Sequence, residues 1–445
     1  MKLIRVGIVG FGTVGRATAA IIGAHQREIA ARCGAELSVS WVCNRSPIPP
    51  SAIPAGARVQ CQWHALVESP EVDIVVETVG GCGVAQEIVR TALEQGKPVV
   101  TANKTLLANH GQELLRLACQ QNLPLGFEAA VAGGIPVIRS IEMGTGGDRI
   151  RAVYGILNGT ANYILTRMEA DGEDFETALM DAQKRGYAEQ DPASDVDGID
   201  ARDKLAILAR LALGGCVPLT SILATGIRAV RGVDFLYARR LHGVIRLVAS
   251  AELCDGKLAA SVRPWLLPQG SLLSGVDGIN NAVVVEGERS GTQMFFGRGA
   301  GGDATAIAVL SDLMEIAADL TAGNAKAKSA AGFRSGTEMS VCHEPPPVPW
   351  FLRLVIRDQP GVLSRVASEL AARQINIDCV LQEPGFPKTQ LPFVITVEPV
   401  SEPILMAAVA AINRDPALVA PVMLLRMQPS ASSPVGVDQH RRGER

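Results

Sequence analysis

Short runs that are apolar at every position open the chain, separated by stretches of helix length: Ile4 to Val9, Leu37 to Cys43, Val72 to Val76, Pro98 to Thr101 and Leu123 to Phe127. Continuous apolar runs, rather than alternating ones, are what strands look like when helices cover both faces of a sheet. Such strands alternating with helices predict a Rossmann-type, doubly wound parallel sheet over residues 1–140. Beyond about residue 141 the pattern changes. A helical repeat over Ala201 to Leu213 stands among strand-like pieces at Ala282 to Glu286 and Met294 to Phe296, which predicts an α+β domain over 141–303. The alanine-rich run from Ala304 to Leu320 reads as a long helix that, extended to about 340, completes the first domain.

Glu344-Pro345-Pro346-Pro347-Val348-Pro349 reads as a stiff linker. Residues 350–427 then run strand, helix, strand, strand, helix, strand: Phe351 to Arg357, Val362 to Arg373, Ile375 to Leu381, Gln390 to Glu398, Pro403 to Asn413 and Val419 to Arg426. That order predicts a compact ferredoxin-like unit. Residues 428–445, rich in Ser, Pro and charge, read as a disordered tail.

Composition narrows the class. With 47% hydrophobic residues, 20% charged residues and a net charge of -3 over 445 residues, the chain is neither disordered overall nor a basic nucleic-acid binder. No uncharged apolar stretch reaches the roughly 18 residues of a membrane span, and the start runs into a strand without a cleavage-type signal. A cytoplasmic protein is expected, with small molecules and copies of itself as partners, and with neither nucleic acid nor membrane. Nine cysteines lie scattered without CxxC pairs and are read as reduced, buried thiols.

Gly10-Phe11-Gly12-Thr13-Val14-Gly15 follows a strand and opens a helix, the context in which a GxGxxG run binds a dinucleotide. Gly10 allows the tight turn, Gly12 admits the pyrophosphate to the backbone, and Gly15 lets helix and strand pack closely. The second strand ends at Cys43-Asn44-Arg45 without the acid that would hold a ribose 2′-hydroxyl. Arg45 can grip a 2′-phosphate instead, which points to NADP over NAD.

Thr101-Ala102-Asn103-Lys104 ends another strand, where ligands bind in open parallel sheets, although position alone does not separate Lys104 from a solvated helix-start lysine. In Phe127 to Pro136, paired glycines and a proline could turn carbonyls toward a hard monovalent cation; a tight strand-to-helix turn is the simpler reading. Asp200 and Lys204 share a helix face, and on spacing alone a surface ion pair is favoured. The density of Glu189, Asp191, Asp195, Asp197 and Asp200 argues the other way, toward a loop that grips a substrate ammonium.

Those motifs, with Gly155 to Leu165 and Gly297-Arg298-Gly299-Ala300-Gly301-Gly302, resemble homoserine dehydrogenase along nearly the whole chain to about 340. The unit after Trp350, with Asp358 to Leu363 at its first strand-helix turn, resembles an ACT domain. The resemblance implies NAD(P)-dependent interconversion of L-homoserine and L-aspartate 4-semialdehyde, serving threonine, methionine and isoleucine biosynthesis. It implies Lys204 as the proton-transfer residue and Lys104 as the residue that holds substrate and cofactor together. Asp200 would orient the lysine, Glu189 and Asp195 the substrate amino group, Gly186 would line the pocket, and Gly301 would lie beside the cofactor. A sodium ion would be held by main-chain oxygens at Glu128, Val131, Gly133 and Ile135. Ala132 replaces a common glycine in that loop, and Asp303 stands where proline is usual. A homodimer or homotetramer is implied, with threonine as an inhibitor acting through the ACT-like unit. The other readings are an amino-acid sensor that kept the fold and lost the chemistry, and an oxidoreductase for another amino acid.

Overall fold

The computed structural model describes residues 1–215, 217–323 and 338–428. Six strands make the first sheet: β1 (Lys2–Val9), β2 (Ala35–Cys43), β3 (Arg58–Gln60), β4 (Ile74–Glu77), β5 (Val99–Thr101) and β6 (Leu125–Gly126). All pair in parallel, in the order β3-β2-β1-β4-β5-β6. Helices cover both faces of this sheet, so its strands are buried through their length, as at Ile74, Val75 and Val76. The short edge strand β3 has two exposed residues of three and no apolar run to announce it. Helix Gly302–Thr321 returns to pack on helix Thr13–Ala24. The expected extension of that helix toward 340 ends at Thr321, and residues 324–337, like the tail from 429, lie outside the described residues.

The second sheet is built from β7 (Ile150–Ile156), β8 (Leu223–Ala224), β9 (Gly243–Cys254), β10 (Lys257–Pro268), β11 (Asn280–Gly287) and β12 (Gly291–Arg298). Beside them lie β13 (Val348–Ile356), β14 (Ile377–Leu381), β15 (Leu391–Val400) and β16 (Leu418–Met427). The last four, with helices Val362–Ala371 and Glu402–Ile412, have the predicted strand-helix-strand-strand-helix-strand order. They do not stand apart. Strand β16 pairs in parallel with β10, so the ten strands form one continuous sheet. Val348 and Pro349, read as linker, already belong to β13.

The ion pair of Arg353 with Asp234, at 2.9 Å, fastens the C-terminal unit to helix Gly232–Arg240. The Tyr237 hydroxyl adds a second tie by donating to the Pro392 carbonyl. The thiol expectation needs correction: Cys33 and Cys43 are buried, but Cys61 and Cys119 are exposed, while Cys216 lies outside the described residues. Cys61 follows the exposed edge strand and Cys119 sits on the outer face of helix Lys104–Gln120, so neither inherits the burial that apolar neighbours in sequence implied. Among the described residues no helix is long and apolar enough to cross a membrane.

Candidate active site

The dinucleotide loop is shaped by close backbone approach. Gly10 has φ +94°, and a Cβ there would lie 2.5 Å from the Thr78 carbonyl carbon, so only glycine fits between β1 and the turn after β4. A Cβ at Gly15 would lie 2.5 Å from the Gly10 carbonyl oxygen, which is the predicted close packing of helix on strand. Gly12 faces open space instead. Helix Thr13–Ala24 has no side-chain cap and no acid in its first turn, so its first N–H groups remain available to an anion.

A cleft of about 620 Å³ opens beside this loop, lined by Gly10, Gly12, Arg45, His64 and the Thr78 to Gly81 turn among others. Phe11 is buried in the core, and the partly buried Val14 packs against that same core. Gly301 has φ +117° and precedes the helix whose first residue, Gly302, has room for a Cβ only 2.9 Å from the Thr13 methyl. The loop from Gly297 to Gly302 therefore abuts the start of the fingerprint helix.

Glu77, at the carboxyl end of β4, is fully buried and ties that cleft to the next strand. Its carboxylate accepts from the Val79 N–H at 2.7 Å, the Thr101 hydroxyl at 2.6 Å and the Asn103 amide at 3.4 Å. Burial raises its pKa, and these donors oppose the rise. The Asn103 side chain also caps helix Lys104–Gln120 by accepting from the Leu106 N–H. Lys104, the first residue of that helix, is thus placed by a buried network.

Helix Ile199–Leu213 brings the second lysine. Gly198 before it has φ +80°, which lets the chain turn sharply into the helix. The helix is buried on nearly every side, so Asp200 and Lys204 are not the surface pair that their spacing favours. Asp200 is 4% exposed. Its Oδ1 meets Lys104 Nζ at 2.6 Å, and its Oδ2 meets Lys204 Nζ at 2.8 Å. Burial alone would raise the Asp200 pKa, but the two ammonium groups outweigh it and hold the carboxyl well below the usual range. Burial acts against the charged form of Lys104 as well; Asp200 above all, then Asp195 and Asp203, prevail and raise its pKa.

Two groups that sequence reasoning did not single out complete the cluster. The Asn158 amide donates to Asp195 at 2.7 Å and to Asp200 at 2.8 Å, while its carbonyl oxygen caps helix Gly159–Asp171. The Leu157 carbonyl accepts from Lys204 Nζ at 2.8 Å and from Asn281 at 2.9 Å. Asn158 stood inside the quoted Gly155 to Leu165 run and, as a helix cap next to a strand end, carried a readable signal. A main-chain carbonyl carries none.

The acidic run divides. Asp195 and Asp200 enter the cluster, Asp197 turns to Arg228, and Glu189 and Gly186 lie on the exposed side of the loop.

Farther along, the Glu128 to Ile135 turn is almost wholly buried. Ala132 adopts φ +56° despite its side chain, and its carbonyl accepts from the Ile135 N–H at 3.0 Å. Among the described residues the carbonyls of Val131 and Gly133 receive no hydrogen bond, which suits a hard monovalent cation, whereas the Ile135 carbonyl accepts from the Val137 N–H at 2.7 Å and has one lone pair left to offer. The Glu128 side chain is committed elsewhere, to the N–H groups of Ile138 and Arg139.

Comparison with known proteins gives the family of the chain. The sequence matches the family described as homoserine dehydrogenase over residues 136–314, that family's NAD-binding domain over 10–128, and the ACT domain over 350–417. The homoserine dehydrogenase of Neisseria gonorrhoeae is 36% identical over 432 residues, 96% of this chain and 99% of that one. The chain belongs to the homoserine dehydrogenase family. A homoserine dehydrogenase crystal structure from Thiobacillus denitrificans superimposes with a TM-score of 0.90 at 35% identity, covering 96% of this chain and 99% of that one. A hyperthermophilic archaeal homoserine dehydrogenase solved with NADPH is 31% identical, with a TM-score of 0.61, over 72% of this chain and 98% of that one. Membership makes the chain an oxidoreductase with an NAD-binding domain and an appended ACT domain.

Proposed function

We propose that this chain interconverts L-homoserine and L-aspartate 4-semialdehyde in the biosynthesis of threonine, methionine and isoleucine, with NADP preferred. The observation that carries the reading is the buried pair of lysines on one carboxylate, Lys104–Asp200–Lys204, anchored at the carboxyl end of the sheet that holds the dinucleotide loop. Gly10, Gly12 and the uncapped start of helix Thr13–Ala24 would hold the pyrophosphate, and Arg45 a 2′-phosphate. When bound, the nicotinamide supplies or takes the hydride.

The protein's own part is proton handling and placement. Of the three Lys204 N–H groups, one goes to Asp200 and one to the Leu157 carbonyl, which leaves the third for a substrate oxygen. As negative charge develops on the aldehyde oxygen, that N–H stabilises it and transfers its proton. In the opposite direction the neutral amine takes the proton back from the alcohol. Lys104 holds the substrate beside the cofactor, Asp200 fixes both lysines, and Asp195 with Glu189 receives the substrate ammonium at the mouth bordered by Gly186. The turn at Glu128, Val131, Gly133 and Ile135 would bind sodium through its carbonyls. A cytoplasmic homodimer or homotetramer, inhibited by threonine at the ACT domain near Asp358 to Leu363, completes the proposal.

Initial rates of homoserine oxidation at alkaline pH test it, with NADP and NAD compared for wild type and Lys204→Ala. The variant is expected to lose about a hundred- to ten-thousand-fold in kcat with cofactor affinity nearly intact. No wild-type rate with either cofactor would sink the reading. Addition of millimolar threonine is expected to lower the wild-type rate, and an unchanged rate would remove the inhibitor from the proposal.

A further inference from the structure

The Leu157 carbonyl accepts two hydrogen bonds, from Lys204 Nζ at 2.8 Å and from Asn281 Nδ2 at 2.9 Å. A carbonyl oxygen has two lone pairs, so both are occupied and its direction is fixed. Asn281 comes from β11, opposite Gly297 of β12, and is completely buried. Among the described residues it makes no hydrogen bond to Asp200 or to either lysine. Its surroundings are nonetheless tightly specified. A Cβ at Gly299 would lie 2.0 Å from both Cγ and Nδ2 of Asn281, and a Cβ at Gly133 would lie 2.6 Å from the Gly299 carbonyl oxygen. The amide is therefore clamped between the Leu157 carbonyl and the backbone of the loop that precedes helix Gly302–Thr321. Its Oδ1 is buried without a partner, so the amide is held by its donor side alone.

We propose that Asn281 is a positioning residue for Lys204: by occupying the second lone pair of the Leu157 carbonyl, it aims that carbonyl and thereby sets where the Lys204 ammonium points. Asparagine suits the task because it donates while staying neutral, so it adds no charge beside the two lysines. The inference rests on the reading of Lys204 as the proton carrier.

Asn281→Ala and the near-isosteric Asn281→Leu, which removes the donor, adds no charge and roughly keeps the volume, are compared with Lys204→Ala and with Asn162→Ala. Asn162 is an equally buried amide that ties together the carbonyls of Val276 and Gly278 and, among the described residues, makes no hydrogen bond to Lys204. Misplacing the proton donor is expected to lower kcat about tenfold or more, leave the KM for the cofactor within about twofold, and move the pH-rate limb by about half a unit or more. Asn162→Ala is expected to lower thermal stability while leaving that limb in place. If Lys204→Ala is inactive but both Asn281 variants keep the wild-type limb and kcat, Asn281 has no positioning role and the assignment of Lys204 stands. An equal shift of the limb in Asn162→Ala would reduce the effect to general loosening and overturn the inference. An active Lys204→Ala would overturn the proton carrier, and the role of Asn281 with it.

Discussion

Asp200 concentrates the physics of the site in one residue. A carboxylate taken out of water is costly unless opposite charge compensates it, and here two ammonium groups do so from its two oxygens. A carboxyl whose pKa is depressed in the folded protein adds stability at every pH above its unfolded value, near 4, and that contribution is lost as pH falls through the folded value. Asp200→Asn leaves two partly or fully buried cations without their partner. It is expected to cost about 3 kcal/mol or more at pH 7, with the difference from wild type shrinking below about pH 4. Chemical denaturation at both pH values measures this, and equal stability at pH 7 would show that the lysines find other compensation. On the sequence, Asp200 and Lys204 were a helical pair of ordinary kind; the third member, Lys104, lies 96 positions upstream of Asp200 and could not be joined to them by spacing.

Where elements meet, acids gather. The end of β6, the turn that follows it and helix Gly302–Thr321 bring Glu128, Glu142, Asp312 and Glu315 around one guanidinium, Arg139, beside a cavity of about 430 Å³. Arg139 pairs with Asp312 at 2.7 Å and with Glu315 at 2.8 Å. Burial, ahead of mutual repulsion, pushes Glu128 and Glu142 up to about 7 and Asp312 up to about 6. A carboxyl raised in the folded state binds protons that the unfolded chain has already released, so stability declines as pH rises from about 4.5 toward 7. Glu142→Gln removes one of the repelling charges and is expected to stabilise the protein by about 1 kcal/mol at pH 8, with little effect at pH 4. Urea unfolding at the two pH values reads the difference, and destabilisation at pH 8 would refute it. The helix that carries Asp312 and Glu315 was legible, because apolar periodicity is a local property, whereas the short turns that carry Glu128 and Glu142 were not. Strands β7, β9 and β10 were missed: β9 and β10, which pair with each other across the Asp255-Gly256 turn, mix polar residues into their runs, as in Arg246, Ser250 and Glu252, and β7 is held by strands distant in sequence.

At the scale of the whole molecule, the C-terminal unit is part of the second domain's sheet. Besides the β10–β16 pairing, Arg263 pairs with Glu402 and Arg426 with Glu252 across the junction. The most deeply placed tie is Arg353 on Asp234, which is completely buried and whose pKa burial pushes up to about 6 against the pull of the guanidinium. Arg353→Ala strands that carboxyl and is expected to cost about 3–5 kcal/mol at pH 8, less near pH 5 where the carboxyl can protonate. Calorimetry of the wild type is expected to show the two units unfolding together, and a separate early transition would mean that the shared sheet carries little coupling. The sequence by itself determined the kinds of units, their order along the chain, the glycine turn between the first strand and its helix, and the family, since each of these lies in local pattern and motif. Which charges face one another was decided only by the tertiary structure. The meeting of Lys104 with Asp200, the Leu157 carbonyl shared by Lys204 and Asn281, and the fusion of the ACT unit at β16 all join residues far apart in the chain, through burial and hydrogen bonds that exist only once the sheets have closed.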